Sequence, residues 1–189
     1  MRPDFLIICI ALVVATARPL AAAELSAVFT GDNFSLNSVL VGEVKEGRST
    51  LSLAALVQAL GAPNRTQVQG GGTQRITWDE AGIQLEASFK ESTPFALLIE
   101  FGKPSTADQG VVPSGQFSGI LDFLGIKLRG QDRIGSVRSL LTLAKFNREP
   151  RPGGAESWSL QLEHWSIYLR FTAAGTIDSA VIRVLPDIF

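Results

Sequence analysis

The chain has 189 residues with 17 Lys and Arg against 18 Asp and Glu, one histidine and one cysteine. Removing a leader of residues 1–23 takes away Arg2, Arg18 and Asp4, so 17 basic and 18 acidic residues become 15 and 17 and the charge settles near −2. That balance, with no Lys/Arg cluster, argues against nucleic-acid binding through phosphate neutralisation; loss of Cys9 with the leader removes thiol catalysis and disulfides, and a single histidine leaves carboxylates to serve any metal.

The leader is read from Arg2, an apolar run from Leu6 to Ala15 too short to cross a bilayer, and Ala21, Ala22 and Ala23 before Glu24. Cys9 lies inside the apolar run and not in a lipobox. The expectation is a signal peptide over 1–23, cleaved to give a periplasmic or secreted bacterial protein with no transmembrane segment; a retained anchor is the alternative.

Ala27, Val28 and Phe29 suggest a short edge strand, and Gly31, Asp32 and Asn33 a turn. Phe34 and Ser35 open an extended run that ends at Gly42, and Phe117 and Ser118 open another that ends at Gly125, the two glycines marking hairpin turns. Leu53, Leu56, Val57 and Leu60 form a helical stripe, capped by Ser49 or Thr50 and stopped by Gly61 and Pro63. Val137, Leu140, Leu141 and Ala144 repeat the stripe 84 residues later, predicting a second helix over 136–145 and making Leu56 and Leu140 equivalent core positions.

Residues 64–73, with Gly70, Gly71 and Gly72, read as a mobile loop, as do residues 149–155; no Lys-Ser or Lys-Thr follows the glycines as a phosphate-binding loop requires. Alternating runs then predict strands over 74–78, 83–89 and 95–101. The 84-residue offset carries Ile76 and Trp78 onto Leu160 and Leu162, and Ile83, Leu85 and Ala87 onto Ile167, Leu169 and Phe171, with a last strand over 177–185. The expected fold class is therefore α+β, in two tandem homologous halves. Each would be a hairpin, one short helix and three antiparallel strands with the helix packed on one face, over residues 24–102 and 114–189 with a linker at 103–113.

Between Phe34 and Gly130, the chain resembles a family of uncharacterised bacterial envelope proteins, a domain of unknown function. The elements that carry the resemblance are Leu60-Gly61-Ala62-Pro63, then Trp78-Asp79-Glu80-Ala81-Gly82-Ile83, then Pro113, Phe117-Ser118-Gly119 and Gly125. The resemblance implies no activity. A looser similarity of element order, to the tandem unit of the beta-lactamase inhibitor protein and to small outer-membrane assembly lipoproteins, transfers no contact residues.

His164, in a predicted turn beside Glu163, has no histidine counterpart in the first half. Asp79 and Glu80 are neighbours in a turn, where Asp serves local backbone hydrogen bonds. Catalytic residues, metal sites and cofactors are therefore not expected. The outward strand faces mix Tyr, Leu, Val and Arg among Ser and Gln, as protein-binding faces do, and Leu98, Tyr168, Arg170 and Arg183 are the candidate contacts; Trp165, in or next to a turn, is a binding anchor if exposed and a core residue otherwise. The reading is a non-enzymatic, exported module that binds another protein, as an inhibitor or an envelope accessory. Two alternatives are a binder of a small apolar ligand held between the halves by Phe95, Phe101, Phe123 and Phe171, and a hydrolase using Asp79 or Glu163.

Overall fold

The computed structural model describes residues 24–88, 94–103 and 110–185; the leader, much of the expected linker and the loop before Pro94 lie outside the described residues. Among the described residues, fourteen strands form two sheets. The smaller holds β1 (Ser26–Phe29), β2 (Asn33–Leu36), β3 (Val39–Lys45), β4 (Arg48–Leu51), β9 (Ile120–Phe123) and β10 (Ile126–Leu128). The larger holds β5 (Arg65–Val68), β6 (Thr73–Trp78), β7 (Ile83–Ser88), β8 (Pro94–Glu100), β11 (Asn147–Pro150), β12 (Glu156–Gln161), β13 (Trp165–Phe171) and β14 (Ile177–Val184). Helices α1 (Leu53–Leu60) and α2 (Ile134–Leu143) connect the sheets.

The strand order is β10-β9-β1-β2-β3-β4 in the six-stranded sheet and β11-β12-β13-β14-β8-β7-β6-β5 in the eight-stranded one. This corrects the expected α+β fold of two helix-on-three-strand halves: the described residues are mostly β-strand, in two large sheets with only two short α-helices. β8 pairs with β14, fusing the strands of both halves into one sheet, and β1 pairs in parallel with β9 to fuse the hairpins into the other. The physical reason is the amount of apolar strand surface. Helices of eight and ten residues cannot cover it, so the inner faces of the two sheets cover each other, as in a sandwich.

Period-two alternation supplies those inner faces: Ile76, Trp78, Ile83, Leu85, Leu97, Ile99, Leu160, Ile167, Leu169, Phe171, Ala180 and Ile182 are buried in the larger sheet. Ala27, Phe29, Phe34, Leu36, Leu121 and Phe123 answer them from the smaller. Phe29 stacks on Phe123 at 4.8 Å and meets Trp165 edge-on at 5.8 Å, so the aromatic core crosses from one sheet to the other.

The helices differ from expectation in register. Ser52, not Ser49 or Thr50, caps α1, its side chain accepting from the Ala55 N–H, while Ser49 donates to the His164 carbonyl at 2.6 Å. Gly61 ends α1 at φ 82° with its N–H on the Val57 carbonyl, as its position predicts. In α2 the buried residues are Ile134, Val137 and Leu141, and Leu140 is 44 % exposed. The core leucine of α2 is thus Leu141, and Leu140, the expected equivalent of Leu56, lies on the exposed side.

Two turns also depart from it. The first hairpin turns at Asn37 and Ser38, both at positive φ, and Gly42 lies inside β3 opposite Phe34; Gly125, at φ 85°, does sit in a turn. The supposed glycine loop at 64–73 is strand β5 followed by a 3-10 turn at Gly70–Gly72, and its counterpart is β11 with a turn at Pro152–Gly154.

Candidate functional site

The outward face of the eight-stranded sheet gathers four of the five residues singled out from the sequence. Tyr168 is in register with Val181, and Val181 with Leu98, which makes one apolar row across β13, β14 and β8. One step along the strands lies the row of Arg170, Ser179 and Glu100, and one step the other way the row of Ser166, Arg183 and Ala96. Arg170 and Arg183 are exposed, and Tyr168, Val181 and Leu98 are half-buried. Trp165 is not among them. It is 1 % exposed and packs on Phe29, so it offers a partner no surface, and its indole N–H has no hydrogen-bond acceptor among the described residues.

Tyr168 is a ridge between two depressions. A cleft of about 560 Å³ is lined by Arg151, Ser157, Tyr168, Arg170, Thr172 and Asp178, with Ala155 and Phe171. A groove of about 230 Å³ on the other side is lined by Ser166, Tyr168, Val181 and Arg183. The Tyr168 hydroxyl donates to Ser157 Oγ at 2.5 Å and accepts from Arg151 Nη2 at 2.5 Å, while Arg151 Nε donates to Ser157 Oγ at 3.0 Å. Arg151 also reaches Glu149 at 3.3 Å, and its guanidinium carbon stands 6.0 Å from the Tyr168 ring centre. Arg170 Nε donates to Asp178 Oδ2 at 2.5 Å, and Nη2 engages the same oxygen. These anchors hold the tyrosine and two arginines in fixed positions around the cleft.

Arg151, Ser157 and Asp178 were missed from the sequence. Ser157 shares strand parity with Ser159 and Gln161, which was enough to place it outward. Arg151 fell in a stretch read as a flexible loop, and Asp178 beside a bulge that shifts the register between Arg170 and Phe171.

Asp79 has a different task. Its carboxylate accepts from Arg65 Nε at 3.0 Å, Arg65 Nη2 at 3.1 Å and the Ser114 N–H at 2.8 Å, and Arg65 continues to the carbonyls of Gly110 and Val112 at 2.7 and 2.6 Å. Burial pushes this carboxyl up, but the Arg65 and Ser114 hydrogen bonds with the Arg65 charge outweigh it and hold it below the ordinary 3.8. Trp78 donates its indole N–H to the Gly61 carbonyl at 2.9 Å, tying β6 to the end of α1. The Trp-Asp-x-x-Gly-Ile element is thus a structural junction. Glu156 is a second one: burial raises its carboxyl, and Arg148, Trp158 and Arg138 together lower it below 4.5.

His164 approaches Glu163 at 3.7 Å with Glu163 almost fully exposed, and neither lines the cleft or the groove. The aromatic set expected to hold an apolar ligand is dispersed: Phe101 packs on Phe117, Phe123 on Phe29, and both are buried. Another hollow, of about 350 Å³, lies where Glu24, Leu25, Leu60, Trp78 and Glu80 meet. Among the described residues no three His, Cys, Asp or Glu side chains cluster as metal ligands, and no helix is long and apolar enough to cross a membrane.

A family model described as a domain of unknown function (DUF7738) matches residues 45–135, from the end of β3 to the start of α2. It includes the Trp78 to Ile83 element and Pro113. No curated protein matches the sequence. A solved structure, of an extracellular protein containing a SCP domain from Bacillus anthracis str. Ames, is similar at a TM-score of 0.44 and 10 % identity over 71 % of this chain. The similar region spans 43 % of that chain.

Proposed function

We propose that this is an exported, non-enzymatic protein that binds another protein through the outward face of its eight-stranded sheet, around Tyr168. The observation that carries the reading is the meeting of Leu98, Tyr168, Arg170 and Arg183 on one exposed patch, with an aromatic ridge between two depressions. Tyrosine and arginine are the residue types that concentrate binding energy at interfaces, and a ring held by Arg151 and Ser157 loses little entropy on contact. Export rests on the leader read over residues 1–23, which suits action in the periplasm or outside the cell. Absence of catalysis rests on the ties that engage Asp79 and Glu156 and on the single histidine, which stands away from the cleft.

The test is affinity capture from the host's own envelope fraction with the wild-type protein and with Tyr168→Ala combined with Arg183→Glu. A protein retained stoichiometrically by the wild type and lost by the double variant supports the reading. Equal retention by both puts the binding surface elsewhere.

A further inference from the structure

We propose that β5 is a pairing edge for a second copy of this chain, which adds to it in antiparallel register about a two-fold axis at Gln67 and joins two eight-stranded sheets into one. The proposal is independent of the Tyr168 face, since β14, β8, β7 and β6 stand between β13 and β5.

Among the described residues the two sheets end on β4, β5, β10 and β11. An open edge offers its N–H and C=O groups to any other strand, and three of these four edges are guarded against it. β11 carries Arg148 and Glu149 and ends at Pro150, which has no N–H, with Pro152 just beyond. β10 is three residues long with Lys127 at its centre. β4 begins at Arg48 and has Ser49 and Leu51 buried, with Ser49 donating to the His164 carbonyl of the turn before β13. β5 has no such guard: it contains no proline, and its one charge, Arg65, is engaged by Asp79 and by the carbonyls of Gly110 and Val112.

The ladder to β6 fixes which groups are open. The Gln69 N–H donates to the Thr73 carbonyl, so Gln69, and by alternation Gln67 and Arg65, turn their backbone groups toward β6. Thr66 and Val68 turn theirs away from the sheet. An antiparallel copy that sets Thr66 opposite Val68 of the second copy lets both residues exchange N–H and C=O groups across the axis, and symmetry repeats the exchange, so every open group of the edge is satisfied. Gln67 then faces Gln67 of the second copy.

The side chains favour the same register. Thr66 and Val68 lie opposite Ile76 and Gln74, on the inward face of the sheet, yet Val68 is 60 % exposed, so that face is left open at this edge. The pairing lays Thr66 and Val68 of one copy against Val68 and Thr66 of the other, two cross-strand pairs of β-branched side chains on the open face. It also sets Arg65 opposite the neutral Gln69, so no like charges meet.

The chain from Glu24 onward contains no cysteine, which makes single cysteines clean probes of the axis. Opposed residues of a non-hydrogen-bonded antiparallel pair stand about 4.5 Å apart at Cα, within disulfide reach, so Gln67→Cys should link to itself under copper–phenanthroline oxidation. At Gln69→Cys, which faces Arg65 of the second copy, the two thiols are roughly 13 Å apart along the strands and should link at less than about a tenth of that yield. Sedimentation equilibrium of the wild type should give a dimer. Val68→Pro deletes an outward N–H and leaves the β6 ladder intact, and should raise the dissociation constant about tenfold or more. A wild type that sediments as a monomer throughout overturns the proposal, as does equal disulfide yield at the two cysteines or a dimer unaffected by Val68→Pro. Should Val68→Pro fail to fold, the two cysteine variants decide alone, since Gln67 and Gln69 are both partly exposed.

Discussion

Gly42 of β3 faces the indole of Trp165 across the two sheets: a Cβ built on Gly42 would stand 3.1 Å from Trp165 Cη2 and 3.0 Å from Leu51 Cδ2. The smaller sheet accepts this indole because one of its residues has no side chain. Gly42 is not at positive φ, so it is packing and not backbone conformation that favours the glycine. Gly42→Ala should cost about 1–3 kcal/mol, the range for an extra methyl in a filled core. Urea unfolding checks it, and a loss below a few tenths would mean that the indole shifts freely.

The helices allow a sharper comparison. Leu56 and Leu141 are fully buried, whereas Leu140 is 44 % and Leu143 79 % exposed. Leu56→Ala and Leu141→Ala should each cost about 2–5 kcal/mol, while Leu140→Ala should stay within about 1 kcal/mol. Denaturant midpoints of the three variants decide this, and a large loss at Leu140 would contradict the packing of α2.

These same residues show what was legible in the sequence. Period-two alternation identifies one face of a strand without knowledge of its neighbours, so Ile83, Leu85, Ile167 and Leu169 were read as inward and are buried. Strand pairing carries no such local mark. That β8 lies beside β14, or β1 beside β9, depends on residues far apart in the chain, and the 84-residue similarity suggested separate halves where the sheets are shared. In a helix, a stripe of four apolar residues leaves room for an error of one position, which is the step from Leu140 to Leu141. Trp165 shares parity with Ile167, Leu169 and Phe171, which favours the core, and the exposed alternative follows only from a turn over 163–166 that runs two residues into β13. Of the site, the outward residues Leu98, Tyr168, Arg170 and Arg183 followed from parity, and the cleft formed with Arg151 and Asp178 required the three-dimensional structure.

Acid should loosen the protein through its two junction carboxylates. Asp79 and Glu156 are lowered in the folded state relative to 3.8 and 4.5. Their contribution is therefore fully present above those values and is lost as pH falls through the lower folded-state pKa values. Asp79→Asn should be less stable than wild type at neutral pH, by about 1–3 kcal/mol for the weakened Arg65 and Ser114 bonds, with the gap narrowing toward pH 3. Thermal unfolding of both proteins from pH 7 to pH 3 tests this. Parallel curves would mean that Asp79 is not held by Arg65 in solution.

The glycine of the Trp-Asp-x-x-Gly-Ile element makes the strictest demand. Gly82 has φ +66°, and a Cβ there would meet the Phe117 nitrogen at 2.2 Å, the Gln116 carbonyl carbon at 2.6 Å and the Glu100 oxygen at 2.9 Å. All three are backbone atoms held in place, since Glu100 N–H donates to Gly82 O and Phe117 N–H to Glu100 O. Neither the turn nor its neighbours can give way, so β7, β8 and the segment leading to β9 would have to separate. Gly125 offers the control: its φ is +85°, but nothing lies within 4 Å of its added Cβ. Gly125→Ala should cost only the left-handed backbone penalty, about 1–2 kcal/mol. Gly82→Ala adds a steric clash to that penalty and should cost more than about 3 kcal/mol or leave the protein insoluble. Soluble yield and the unfolding midpoints of the two variants, side by side, separate backbone strain from close approach. Equal losses would show that the Phe117 segment does not lie against the Gly82 turn.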